Sequence, residues 1–189
     1  MQHRHHTFKV YWRTYIRKMR GMTVSNARPQ FMEALITFCC CFAGVALLGV
    51  LVDSLVGGME GVMLIPSFGA SSLMVFGAPL SPFAQPRNVV GGHILSALSG
   101  VFAYNLLGTG WAAAALAVAM AGALMHLTTT MHPPGGATAL LAVIGDPRVH
   151  AQGYSYAFMP VGVGMVVIVV LAVLINNLVL RRQYPTHWR

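Results

Sequence analysis

The chain has 189 residues, 56% of them hydrophobic and 8% charged, with a mean hydropathy of +0.66. A soluble domain carries about a quarter charged residues, so this composition excludes a water-facing fold and specifies an integral membrane protein. The formal net charge of +8 does not indicate nucleic acid, because the basic residues flank the apolar region and only Arg87 and Arg148 lie inside it.

In chain order, residues 1–30 form a cytoplasmic tail. Within it, positions 7–20 predict an amphipathic helix: Phe8, Tyr11, Trp12, Tyr15, Ile16 and Met19 recur at helical spacing, with Lys9, Arg13, Arg17, Lys18 and Arg20 opposite. Such a helix lies among anionic lipid headgroups; an Arg-rich transit peptide is the competing reading. The first span falls at about 31–52 and contains Cys39 to Cys41, consecutive residues that point in different directions on a helix and serve as small apolar packing. Asp53, Gly57, Gly58 and Glu60 mark an aqueous turn. A shorter segment follows at 61–78, and Pro79, Pro82 and Pro86 then break the chain.

Long spans are expected at about 90–107 and 111–130, a second short segment at 134–145, and a last long span at about 155–180. Each long segment is near the length needed to cross hydrocarbon. A cytoplasmic tail, 182–189, carries Arg182 and Arg189. Positive charge at both ends places both termini in the cytoplasm and requires an even number of crossings, with a bacterial inner membrane the expected location. The expected fold class is all-α: a polytopic membrane helix bundle of four long spans plus two short helices, broken or re-entrant, in one transmembrane domain over 31–181.

The two short segments resemble each other. Gly69-Ala70-Ser71-Ser72-Leu73-Met74 aligns with Gly136-Ala137-Thr138-Ala139-Leu140-Leu141, and each runs on to a Gly-x-Pro stop at Pro79 and Pro147. The chain then divides into halves, about 31–108 and 111–181, each ordered long, short, long. If the short segments cross, the halves form an inverted repeat, as in many transporters. If they are re-entrant, four full spans remain.

The break at Met131-His132-Pro133-Pro134-Gly135-Gly136 falls where uninterrupted helix would otherwise be expected. Prolines remove backbone donors and glycines tolerate unusual dihedrals. At membrane depth such a break persists only where protein or a wet cavity satisfies the backbone. The first amides of a helix beginning there, Gly135, Gly136, Ala137 and Thr138, together with the Thr138 hydroxyl, are expected to cradle an anion. Ser67, Phe68, Gly69, Ala70 and Ser71 would supply the opposing half. A helix terminus contributes only about 0.3–2 kcal/mol, so direct donors worth about 1.5–3 kcal/mol each are also required. Packing of small residues is the bland alternative for both segments.

His93, His126 and His132 are intramembrane ionisable groups, able to donate to an anion or relay a proton; structural histidines bonded across helices are the alternative. Arg87 and Asn88 could guard a vestibule or serve as a positive-inside anchor. No metal or cofactor is expected, since His126 and His132 share no obvious helical face and no carboxylate completes a site. No catalytic arrangement, phosphate-binding loop or zincin motif points to an enzyme. Ser96 and Gly100 have the small-xxx-small spacing of close helix crossings and leave a homo-oligomer open.

The block PSFGASSLMVFGAPLSPFAQPRNVVGGHILSALSG, residues 66–100, with MHPPGGATALLAVIGDP, residues 131–147, closely resembles the HPP family of integral membrane proteins, named for the tripeptide at His132-Pro133-Pro134. The similarity runs from residue 30 to 181. The resemblance implies a four-span membrane protein, and through photosynthetic relatives in chloroplasts and cyanobacteria it implies nitrite transport. The expected function is transport of a small monovalent anion, nitrite first, through a site between the two broken helices. A non-transporting membrane assembly module is the alternative.

Overall fold

The computed structural model describes residues 13–15, 18–19, 30–56 and 65–188. Two compact units separate at Phe31, residues 1–31 and 32–189. In the first, 13–15 and 18–19 are helical; the rest of the expected amphipathic helix and the aqueous turn at Gly57–Glu60 lie outside the described residues. All regular structure among the described residues is helical.

Helix α1, Phe31–Val56, carries its large side chains outward: Phe31, Met32, Phe38, Phe42 and Val50 are exposed. That is a lipid-facing surface, tied down through buried Cys40 and Leu48. Helix α2, Pro66–Gly77, begins with proline at its first position after extended Ile65, where a missing N–H costs nothing. Its buried face is Ser67, Phe68, Ser71, Ser72, Val75 and Phe76, pairs recurring every four residues. A turn of 3-10 helix at Pro82–Ala84 leads into α3, Pro86–Leu107, again started by a proline.

Helix α3 is the centre of the fold, packed against α4, Trp111–Leu127, and α5, Gly135–Ile144. The close approach has a sequence cause. A Cβ on Gly100 would lie 2.5 Å from the Ala139 carbonyl oxygen, and one on Gly135 would lie 2.6 Å from Ser96 Oγ. The small residues Ser96 and Gly100, read from sequence as an oligomer signal, are therefore used inside the chain. On α4, Ala113, Ala117, Ala121 and Met125 form the buried stripe.

Two expected long spans change. The one placed at 111–130 ends at Leu127 after 17 residues. At about 1.5 Å per residue this falls short of a hydrocarbon core about 30 Å thick. The cause is the threonine run: Thr128 Oγ1 donates to the Leu124 carbonyl at 2.7 Å, and Thr129 turns into the left-handed region at φ 56°. The span placed at 155–180 is not one regular helix. Asp146 caps a short helix α6, Pro147–Gln152, by accepting from the Arg148 and Val149 amides. A 3-10 turn, Gly153–Ala157, and a π-type turn, Phe158–Gly162, precede α7, Val163–Asn176. Met159 is extended, at φ −134° and ψ 116°, because the following Pro160 disfavours helical geometry in its neighbour. By length and apolar composition three stretches of the described residues can cross a membrane: Phe31–Leu51, Pro86–Leu107 and the composite Pro147–Asn176.

The expected C-terminal tail is fastened to the bundle as a strap. Arg182 donates to the Phe76 carbonyl at 2.7 Å and pairs with Glu33 at 2.7 Å, joining the ends of α2 and α1. Tyr184 donates its hydroxyl to the Ala84 carbonyl at 2.7 Å, and Gln85 Oε1 accepts from the Thr186 amide.

Candidate functional site

The two chain breaks meet. Ser67 and Ser71 descend from the buried face of α2, His93 from the second turn of α3, Thr138 from the first turn of α5, and His132 from the connection that precedes it. Each is 0–1% exposed, so the cluster is closed on all sides. Ser71 Oγ lies 2.7 Å from His93 Nε2 and 2.9 Å from His132 Nε2. His93 Nδ1 is 2.7 Å from Thr138 Oγ1, and Thr138 donates to Ser67 Oγ at 2.8 Å. His132 Nδ1 donates to the Phe83 carbonyl at 2.7 Å. The two imidazoles are tilted by 54° with centroids 4.9 Å apart.

The expected cradle of bare amides is not there. Gly135, Gly136 and Ala137 donate to the carbonyls of His132, Pro133 and Pro134 at 2.9, 3.0 and 3.1 Å. The prolines cause this: Pro134 enters the helix already in helical geometry, so the chain tightens into three-residue hydrogen bonds before α5 begins. On α2, Gly69, Ala70 and Ser71 lie beyond the first turn, where amides have acceptors four residues back. What converges is side chains.

The sequence candidates therefore divide. Ser67, Ser71, His93, His132 and Thr138 come together. Gly69, Ala70, Pro133 and Ala137 are exposed, and Gly136 and Pro134 are half-buried. Phe68 is buried in the main apolar core, against Gly164. His126 is exposed at the end of α4. Arg87 is exposed and donates to the Thr128 carbonyl at 2.8 Å, while Asn88 Nδ2 donates to Met131 O at 2.9 Å. Both stitch the start of α3 to the chain break.

Sequence reasoning missed the loop that seals the cluster. Gln85 is fully buried and donates to the carbonyls of Pro79 and Ser81 at 3.0 and 2.8 Å, holding the loop that presents Phe83 O to His132. Its signal was a lone amide residue between Pro82 and Pro86. Two open grooves, of about 330 Å³ beside Val166–Leu174 and about 520 Å³ beside Phe38–Ala46, are lined by apolar side chains plus Thr37, and neither includes a residue of the cluster. Among the described residues no three His, Cys, Asp or Glu side chains converge as metal ligands.

A helical membrane protein built around a sealed imidazole–hydroxyl network is the class that fold and site define. The chain matches the HPP transmembrane region over residues 26–185 and belongs to that family. Two proteins of Dictyostelium discoideum, each named a transmembrane protein, are 38% identical over 186 residues and 36% identical over 187. These alignments cover 96% and 95% of this chain but 60% and 65% of the relatives, so the chain spans less than two thirds of their length. No solved structure matches it.

Proposed function

We propose that the chain is a membrane transport protein for a small monovalent anion, with nitrite the leading candidate, rather than an enzyme. The observation that carries this is Ser71 held between His93 and His132, which joins both chain breaks through polar side chains at the centre of an apolar bundle. Ionisable and hydroxyl groups placed so deep are expensive, and where they occur in membranes they mark ion and proton pathways. In this reading the network is the closed state of a gate. Opening parts α2 from α3 and α5 and exposes imidazoles and hydroxyls that can take an anion's oxygens.

The reading places both termini on the cytoplasmic side of a bacterial-type inner membrane. Trp111–Leu127 adds a fourth crossing through a locally thinned bilayer, with the two short helices re-entrant between the long segments. The N-terminal basic segment rests on anionic headgroups, and homo-oligomerisation uses the exposed apolar faces. Uptake of nitrite, nitrate, formate and chloride into proteoliposomes is the test. His132→Ala should abolish nitrite uptake while the protein stays folded. Absence of flux above empty vesicles from folded wild-type protein removes the reading.

A packing-only assembly module is favoured by a separate observation. The cluster is sealed, the first amides of α5 are internally bonded, and Gly92, Gly100 and Gly135 sit where a Cβ would collide. In that case His132→Ala lowers assembly or stability, and no variant separates flux from folding.

A further inference from the structure

With Thr138 donating to Ser67, the hydrogen bonds around Ser71 do not close with neutral histidines. The Phe83 carbonyl can only accept, so His132 Nδ1 carries a hydrogen. Thr138 spends its single hydroxyl hydrogen on Ser67 Oγ. Thr138 Oγ1 therefore accepts from His93, and His93 Nδ1 also carries a hydrogen. If both rings are neutral, both Nε2 atoms are bare. Yet both face Ser71 Oγ at hydrogen-bond distance, 2.7 and 2.9 Å, and Ser71 has one hydrogen to give. One of the two contacts would set a nitrogen lone pair against an oxygen lone pair.

We propose that this cluster is a binding site for one proton, shared between His93 and His132 through the Ser71 hydroxyl. In one state His93 Nε2–H donates to Ser71 Oγ while Ser71 donates to His132 Nε2. In the other, His132 Nε2–H donates to Ser71 and Ser71 donates to His93 Nε2. Conversion breaks the N–H bond on one ring as Ser71 gains that hydrogen, and breaks the Ser71 O–H bond as the other ring gains its hydrogen. Charge and atoms are conserved, and every contact in the network has one hydrogen in both states.

No opposite charge faces the pair among the described residues. α2 presents Ser67 and Ser71, α5 presents Thr138, and the loop presents the Phe83 carbonyl, with Tyr184 of the strap bonded to the neighbouring Ala84 carbonyl. Arg87 and His126, at the near ends of α3 and α4, are exposed, and Tyr156 is buried on the 3-10 turn that packs on α3. Tyr104 and His150 stack on each other, 3.9 Å apart, and the acidic Glu33 and Asp146 pair with Arg182 and Arg148. A proton bound here has no counter-ion in the site. Under the transport reading the carried anion supplies one, and binding linkage then makes each raise the affinity for the other.

The competing state is neutral and runs one way: Ser67 donates to Thr138, Thr138 to His93 Nδ1, and His93 Nε2–H to Ser71. The two states differ in the His93 tautomer, which histidine nitrogen NMR reads directly. The full chain, isotope-labelled at histidine and reconstituted in lipid bilayers, is measured across about pH 5–8, with H93Q and H132Q for assignment. The proposal expects protonated Nδ1 on both rings and a pair of Nε2 signals averaged between protonated and bare. Ser71→Ala, where it folds, should split that average into one protonated and one bare ring, or two bare rings. A bare Nδ1 on His93, or two bare Nε2 signals in wild-type protein throughout the range, overturns it, as does an average that survives Ser71→Ala. The readout needs no substrate: nitrite flux with two bare Nε2 signals defeats the proton site alone, whereas a shared proton without flux defeats the transport reading alone.

Discussion

The two chain breaks that meet at Ser71 and His132 are held in very different ways. The break before α5 is fastened to α3 along its length: Arg87 binds the Thr128 carbonyl, Asn88 the Met131 carbonyl, and Gly92 lets the Thr130 carbonyl approach to where a Cβ would be 2.8 Å away. The start of α2 has fewer polar ties among the described residues, a backbone bond from Phe68 to Ile65 and the side-chain contacts of Ser67 and Ser71, and is held mainly by Ile65 and Phe68 in the apolar core. Its far end is gripped instead, with Asn176 on the Val75 carbonyl and Arg182 on the Phe76 carbonyl. The α5 break is thus a fixed wall. In the transport reading the N-terminal half of α2 is the part that moves, drawing Phe68 from its apolar seat and pivoting on the clamped C-terminus.

The largest effect should come from attacking the wall where it is tightest. Gly100→Leu drives a branched side chain into the Ala139 carbonyl and the Ala142 methyl, 2.5 and 2.6 Å from the position of its first carbon. Overpacking of well-packed interiors costs about 1–3 kcal/mol and sometimes more, and here a backbone carbonyl cannot rotate away. The expected result is loss of monodisperse folded protein in detergent, seen by size exclusion and thermal unfolding. A Gly100→Leu protein that elutes and melts like wild type would mean that α3 and α5 do not pack as described.

The stitches come next. Asn88→Ala leaves the Met131 carbonyl without its donor, a change of about 1–2 kcal/mol for a half-buried partner. Arg87→Ala should cost less, because its guanidinium is exposed and the Thr128 carbonyl can take water. Amide hydrogen exchange at Gly135–Ala137 should rise in Asn88→Ala and stay near wild type in Arg87→Ala. Equal exchange in the two variants would make the fastened break no more fixed than α2.

Sequence made much of this legible. The apolar runs and proline punctuation locate both short helices, and polar residues in them point to Ser67, Ser71 and Thr138, while His93 and His132 stand out as histidines on the next long segment and at the chain break. Other parts were hidden for physical reasons. The bonded amides at Gly135–Ala137 depend on Pro134 entering the turn in helical geometry, which two adjacent prolines do not dictate. The bend at Met159–Pro160 is masked by the long apolar run that continues beyond it to Ile175. The strap is hidden because Arg182 reads as a positive flank, whereas its partners include the Phe76 carbonyl and Glu33, 106 and 149 residues away.

The strap tests the clamped end of α2. Burial pushes the Tyr184 hydroxyl above its ordinary range, because the phenolate would lose water and could not donate to the Ala84 carbonyl. A raised folded value means that this contribution is complete below the unfolded tyrosine value of about 10 and is lost as pH rises past it. Tyr184→Phe should cost about 1 kcal/mol at neutral pH, and the difference in melting temperature from wild type should narrow in alkali. A constant gap up to about pH 11 would show that the hydroxyl is not what holds the strap.

The smallest effects, and of opposite sign, are expected at the two glycines that sequence alignment pairs. A Cβ on Gly69 or on Gly136 meets nothing within 4 Å, and both residues are helical. Alanine at either position should therefore stabilise by about 0.5–1 kcal/mol, through the lower entropy of the unfolded chain. The comparison sharpens in the flux assay. Gly136 lies in the half that stays fixed, so Gly136→Ala should leave transport unchanged. Gly69 lies in the half of α2 that has to part from its neighbours, on the side away from the cluster, and stiffening it should slow opening while raising the melting temperature. If both alanines speed or slow flux equally, the breaks move together and the fixed-wall picture fails even though the buried cluster stands.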